Sequence, residues 1–170
     1  MEDIIAMIDS LILEHDELIT NMRNLEHIAT DLGVAFQLEE AKEALVLGRL
    51  GGQEDSLKKL EEVLTEAESK IRAHFNREER GLLKAFEHSG KHMLASALHE
   101  LLLEHKELRH RIASSRKEMA ELRSSELSRD VWEGKAWGIR VYLTHTRRLL
   151  EDHAHSEYDL LQKARGELAK

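Results

Sequence analysis

Apolar residues recur along the first half of the chain at alternating steps of four and three residues, the spacing of one buried face of an α-helix. The first run begins at Ile4 and predicts a helix that ends near Gly33. The second begins at Leu57 and stops at Ser89 and Gly90, a pair typical of a helix C-terminus. These two runs therefore predict two long amphipathic helices.

The second half of the chain repeats this organisation. One run extends from Leu94 to Leu122 and another from Trp132 to near Gly166, with a polar stretch between them. Between the first two predicted helices, residues 37–50 are also helix-forming, whereas the glycines at 51–52 interrupt the pattern. We therefore expect an all-α fold, an antiparallel up-down four-helix bundle with a short extra helix between helices 1 and 2.

Each run also predicts which residues face the core. The second run assigns Gly81 and Ala85 to the buried face that follows Glu78. The third assigns Leu101 to the buried face ahead of His105. These assignments assume about 3.6 residues per turn throughout each helix.

The composition supports this interpretation and limits the function. The 170 residues are the size of one domain, so residues 1–170 are predicted to form a single domain, and there is no proline to break a helix. A formal net charge of -8 argues against a phosphate-binding surface, so no nucleic-acid partner is expected. Because the chain has no cysteine, any bound metal must rest on histidine and carboxylate groups.

The start of the chain carries no secretion signal of the usual kind. Met1 to Asp3 lead into a charged amphipathic pattern without the basic and apolar regions of a signal peptide. No apolar run reaches the roughly 20 residues of a membrane-spanning helix. We therefore predict a cytoplasmic protein that does not associate with a membrane.

The chain has eleven histidines, and a few of them coincide with the predicted buried faces. The predicted buried face of each helix carries one histidine near its middle. Two of these histidines are followed four residues later by a glutamate on the same face. Polar groups in an apolar core carry a desolvation cost unless they are hydrogen-bonded or share a metal. The candidate metal ligands are His15, His74, Glu78, His105, His153 and Glu157.

The order of these residues is an internal two-fold repeat. In each half a lone histidine precedes a His-x-x-x-Glu pair, and the lone histidines His15 and His105 lie in matching contexts. The midpoint of His74 and His105 falls between Ser89 and Gly90, so antiparallel neighbours would bring both histidines to one level. This arrangement suits two metals bridged by two carboxylates.

Residues 74–79, with the sequence HFNREE, resemble the HFxxEE motif of hemerythrin-like (HHE cation-binding) proteins. Together with His15, His105, His153 and Glu157, the resemblance spans nearly the whole chain. It implies a four-helix bundle with a non-haem di-iron centre, in which the four histidines bind iron and the two glutamates bridge the ions. The implied partner is oxygen, or another small diatomic ligand or redox signal.

Two positions differ from the respiratory hemerythrins. Leu101 stands where they carry a second helix-3 histidine, and Tyr158 stands where they carry an aspartate, while Glu157 supplies the carboxylate. The match is therefore to the broader HHE class, and sensing is favoured over bulk oxygen transport or catalysis. Zinc or nickel can replace the two iron ions at such a site on expression.

Two alternative functions stay open. A di-iron oxidase or iron-handling enzyme of the ferritin-like class would use Glu-x-x-His pairs on two helices, but Glu107 with His110 has no counterpart on another clear helix. A zinc-bound or metal-free structural bundle would use the same buried histidines. Outside the six candidates, Glu79 is predicted to be solvated or paired on the surface, and His145 to have a structural role.

Overall fold

The computed structural model describes residues 2–43, 51–124 and 127–169 of the chain. These residues are helical almost throughout, and no strand occurs among them. The all-α prediction is therefore confirmed. None of the helices in the described ranges combines the length and the apolar character needed to cross a membrane.

Three helices and a π-helical turn form the first part of the fold. Helix α1 spans Glu2–Glu43 and helix α2 spans Gly51–Arg77. The π-helical turn Glu78–Leu82 then joins α2 to the short helix α3, Leu83–His88. A turn follows at Gly90, whose φ of 71° lies in the left-handed region that glycine enters at little cost.

Three further helices follow in the described part of the chain. Helix α4 spans His92–Leu102 and helix α5 spans Glu104–Ser124, with a single turn residue, Leu103, between them. Helix α6 spans Arg129–Leu168. Helix α1 contacts α2 and α6, and α5 also contacts both α2 and α6, so the helices pack as a bundle.

The predicted end of the first helix was wrong. Helix α1 passes through Gly33 without interruption and continues to Glu43. Residues 37–43 of the expected extra helix are thus part of α1, and residues 44–50 lie outside the described residues. A glycine inside a helix costs only about 1 kcal/mol relative to alanine, which a long proline-free helix can absorb.

The predicted buried face after Glu78 was also wrong by one residue. Leu82 and Phe86 are fully buried, in place of Gly81 and Ala85. The π-helical turn explains this shift, because it adds one residue to a helical turn and so rotates every later side chain by one position.

One predicted position ahead of His105 was also wrong. Leu102 is buried, whereas the predicted Leu101 is only half-buried. The N–H of Leu103 donates to the carbonyl of Glu100 at 3.3 Å, a bond across three residues, at the point where α4 gives way to α5. Leu98 and His105 are buried as predicted, so the difference is confined to the step between them.

The apolar core is divided into two clusters. One is built on large side chains such as Met22, Leu64 and Leu143, and the other on side chains such as Leu11, Phe86 and Leu161. Along α1 the change from one cluster to the other occurs at His15, which lies between Leu11 and Leu18. A polar layer therefore separates two apolar halves of the bundle.

Candidate metal centre

Six polar side chains form the layer between the two apolar clusters. Each comes from a position where its helix presents a buried face, and the most accessible of them retains only 5% of its exposure. The structure brings together all six of the candidate ligands predicted from the sequence. They are His15, His74, Glu78, His105, His153 and Glu157.

The carboxylate of Glu78 lies at the middle of this group. Its Oε1 is 2.6 Å from Nε2 of His74 and 3.6 Å from Nε2 of His15. Its Oε2 is 3.2 Å from Nε2 of His105. Glu78 therefore faces histidines from both halves of the sequence repeat.

The carboxylate of Glu157 has a comparable position. Its Oε2 is 3.2 Å from Nε2 of His15 and 3.4 Å from Nε2 of His153. The Nε2 atoms of His105 and His153 are themselves 3.1 Å apart. The two carboxylates thus link two pairs of histidines, one pair from each half of the chain.

Two sets of potential ligand atoms result. The first consists of His15, His74, Glu78 and Glu157, and the second of Glu78, His105 and His153. Within each set, one ligand atom from every residue lies within 4.8 Å of all the others. The sets share Glu78, so a pair of adjacent metal ions would have a common carboxylate ligand.

Three of the four histidines also contact a carboxylate outside the layer. Nδ1 of His74 is 2.9 Å from Oε2 of Glu14, and Nδ1 of His105 is 2.9 Å from Oε1 of Glu79. For His153 the partner of Nδ1 is Glu104, with Oε2 at 3.0 Å.

These outer contacts determine which ring nitrogen carries the proton. An ionised carboxylate can only accept a hydrogen bond, so each Nδ1 must donate. In the neutral imidazole the opposite nitrogen, Nε2, holds a lone pair, and it points into the layer. The Nε2 atoms of His105 and His153 consequently face each other at 3.1 Å, which requires either a shared proton or a cation.

Several inner atoms have no hydrogen-bond partner within the described part of the chain. They include both ring nitrogens of His15, Nε2 of His74 and all four oxygens of Glu78 and Glu157. The 2.6 Å approach of His74 to Glu78 lacks the geometry of a hydrogen bond. Buried polar atoms left in this way carry a large desolvation cost, and metal coordination would remove it. The donor set therefore fits a bound metal.

The electrostatics of the layer point the same way. Burial would raise the pKa of the Glu78 carboxyl, but contacts with His105, His15 and His74 hold that pKa well below its usual range. For His15 burial opposes protonation, yet the carboxylates of Glu157 and Glu78 raise its pKa to about 9. Positive charge from a protonated histidine or from a metal ion satisfies the buried carboxylate of Glu78.

The π-helical turn helps to orient this site. Glu78 is its first residue and Glu79 its second, and the two side chains point in different directions. Glu78 is fully buried, while Glu79 reaches His105 and accepts a second hydrogen bond from Arg109 at 2.8 Å. π-Helical turns are frequently found at functional sites.

The outer carboxylates were not predicted from the sequence. Glu79, expected to be solvated or paired on the surface, is 31% exposed and bonds to a buried histidine as well as to an arginine. Glu14 and Glu104 had a usable signal, because each directly precedes the lone histidine of its half. His145, in contrast, is exposed and contacts Arg111 outside the layer.

No family model, curated protein or solved structure matches this chain.

Proposed function

We propose that this chain is a hemerythrin-like, non-haem di-iron protein that binds or senses oxygen, or a related diatomic or redox signal. The observation that carries the proposal is the buried layer itself. Four histidines and two glutamates converge there, and most of their inward-facing atoms have no hydrogen-bond partner in the described residues. A structural layer of hydrogen bonds would leave few such atoms unsatisfied.

The proposal includes the antiparallel up-down arrangement of the bundle. Ion pairs between α1 and α6 support it, because Asp9 pairs with Arg165 and Arg23 pairs with Glu151. Residue numbers therefore rise along one helix as they fall along the other. Between α2 and α5, Glu61 pairs with Arg123 and Glu68 pairs with Arg116, which is the same opposite order.

Two metal positions are favoured over one because the potential ligands form two sets. Both sets include Glu78, and Glu157 contacts one histidine of each set. Iron is the proposed metal because histidine and carboxylate donors suit it and because the HFNREE segment resembles the HHE motif. When bound, the pair of irons would supply electrons to a small diatomic ligand.

The role of the chain is to hold and orient this centre and to exclude bulk water. His74, His105 and His153 are each fixed by a carboxylate on Nδ1, which aims Nε2 inward. The apolar clusters on both sides limit access to small ligands. Four histidines and two glutamates supply fewer donors than two six-coordinate metals accept, so a diatomic ligand has room to bind.

Sensing is proposed in preference to transport because of Leu101. This half-buried apolar side chain provides no further nitrogen beside His105, so neither metal position is filled by a third histidine. A carrier of the respiratory type uses such a difference to direct oxygen to one ion and release it again. We therefore expect the reduced protein to react with oxygen without releasing it.

The test is to load the metal-free protein with Fe²⁺ under anaerobic conditions and record its optical spectrum. Oxygen is then admitted and removed again. We expect a spectral change on exposure to oxygen that persists after the gas is removed. Full and repeated recovery of the starting spectrum would reject sensing in favour of transport, and no reaction with oxygen would reject the proposed open position.

A further inference from the structure

The inner donors repeat between the two halves of the chain, and part of their outer contact set repeats as well. Glu14 directly precedes the lone histidine of the first half and bonds to His74. Glu104 directly precedes the lone histidine of the second half and bonds to His153. The histidine of each His-x-x-x-Glu pair therefore has an equivalent outer carboxylate.

The lone histidine of the second half has a further outer partner. Nδ1 of His105 donates to Glu79 at 2.9 Å. Glu79 is held in turn by Arg109, whose guanidinium lies 2.8 Å from the same oxygen. The ring of His105 is thus fixed by a carboxylate that is itself fixed by a cation.

The lone histidine of the first half, His15, has neither of these partners at the matching positions. Tyr158 follows Glu157 as Glu79 follows the other inner glutamate, and it is 43% exposed. Ile19 lies four residues after His15, where the second half has its arginine. Nδ1 of His15 is buried and has no hydrogen-bond partner in the described residues.

We propose that the two metal positions are unequal, and that the position at His15 and His74 binds its ion more weakly than the position at His105 and His153. This inference rests on the two-metal centre proposed above. It implies that a chain supplied with little metal loads the second position first. The His15 side is then the part of the centre that empties and refills.

The physical reason is the effect of an outer carboxylate on an imidazole ligand. Accepting the Nδ1 proton fixes the ring orientation and makes Nε2 a stronger donor, and loss of such a partner typically costs about 10 to 100-fold in metal affinity. The position at His105 and His153 has two such partners, Glu79 and Glu104. The other position has one.

The inner carboxylates do not compensate for this difference. Glu78 contacts His15 and His74 on one side and His105 on the other. Glu157 contacts His15 at 3.2 Å and His153 at 3.4 Å. Glu157 completes only the first set of ligand atoms, yet it contacts a histidine of each position at nearly equal distance, so the outer contacts remain the main difference between the two positions.

The test is a titration of the metal-free full chain with Co²⁺, followed by calorimetry and by NMR of isotope-labelled histidine rings. Two binding steps alone would not show that the positions differ, because the first ion can weaken binding of the second through shared carboxylates even in a symmetric centre. The test therefore depends on which position the first ion occupies. After one equivalent we expect the ring resonances of His105 and His153 to be shifted or broadened, with those of His15 and His74 following at the second equivalent.

Matched variants assign each step to its outer carboxylate. Glu79→Gln keeps the side-chain shape but removes the charge, so it should weaken the tighter step by about 10-fold or more and leave the weaker step unchanged. Glu14→Gln should weaken only the weaker step. Glu87→Gln, an exposed change on α3, should alter neither and controls for general effects of charge.

The outcomes separate this inference from the function on which it rests. Binding of two ions with the first distributed over both positions, or with His15 and His74 loaded first, would overturn the inference and leave the two-metal centre intact. An effect of Glu79→Gln on the weaker step would also overturn it. A chain that binds one Co²⁺ at most would reject both proposals.

Discussion

Replacing Glu78 with glutamine should abolish tight binding at both metal positions. The change keeps the size of the side chain and removes its charge. Glu78 is fully buried, and its oxygens lie 2.6 Å, 3.2 Å and 3.6 Å from Nε2 of His74, His105 and His15. It is therefore the residue that belongs to both sets of potential ligands.

The magnitude follows from comparison with the outer carboxylates. Loss of an outer partner of a histidine ligand costs about 10 to 100-fold in affinity for one ion. Glu78 would contact the ions directly, so we expect Glu78→Gln to cost more than about 100-fold at each position, compared with the smaller effect of an outer partner. Glu79→Gln should reduce affinity at one position only.

The assay loads each purified variant with Fe²⁺ under anaerobic conditions, removes free metal by desalting and measures iron per chain. Wild type should retain two ions and Glu78→Gln should retain none. Glu87→Gln, on the exposed face of the following helix, should retain two. Two tightly held ions in Glu78→Gln, or equal losses in Glu78→Gln and Glu87→Gln, would refute the assignment of Glu78 as a shared ligand.

Three other outcomes are expected. Phe75 is fully buried and stacks on His105 at a ring-centroid distance of 3.6 Å. In chemical unfolding, Phe75→Ala should therefore lower the free energy of unfolding by about 3 to 5 kcal/mol. A truncation at the exposed Leu103 should lower it by less than about 0.5 kcal/mol. In thermal unfolding, the metal-loaded chain should melt at a higher temperature than the metal-free chain. Free metal at 100 times its dissociation constant stabilises the folded state by about 2.7 kcal/mol. Identical melting curves would argue against a site that forms only in the folded bundle. Slight burial would raise the pKa of Glu26, but hydrogen bonds from Arg147 and Thr144 outweigh this effect and lower the pKa from 4.5. The difference in unfolding free energy between wild type and Glu26→Gln should therefore be largest near neutral pH and shrink as the pH falls below about 4.5. A difference that does not change with pH would contradict this.

Much of the fold follows from apolar spacing alone. On α1 the apolar run that begins at Ile4 is buried at Leu11, Leu18 and Leu25, although Ile4 itself is only half-buried. Spacing works there because the helix keeps one geometry over its whole described length. The spacing rule fails after Glu78, where a π-helical turn brings Leu82 to the core in place of Gly81.

The candidate inner ligands could be identified because they break the apolar pattern in a repeated order. His15 interrupts a buried face between Leu11 and Leu18, and His105 does the same in its own helix. The outer carboxylates could not be identified in this way. Glutamates are abundant on the exposed faces, and spacing does not reveal which of them, such as Glu79, bends toward a neighbouring helix.

The end of α1 illustrates a different limit. Gly33 has the identity of a helix-terminating residue, yet the helix continues beyond it. A glycine stops a helix when the chain adopts a left-handed conformation there, and identity alone does not require that conformation. Gly90, which does adopt it, was correctly predicted as part of a turn.

The most direct test of the central claim is anomalous diffraction at the iron absorption edge from crystals loaded with Fe²⁺ under anaerobic conditions. We predict two anomalous peaks inside the bundle, one beside His15 and His74 and the other beside His105 and His153, with Glu78 in contact with both. A single peak, two peaks away from these side chains, or no peak in crystals that contain iron would contradict it.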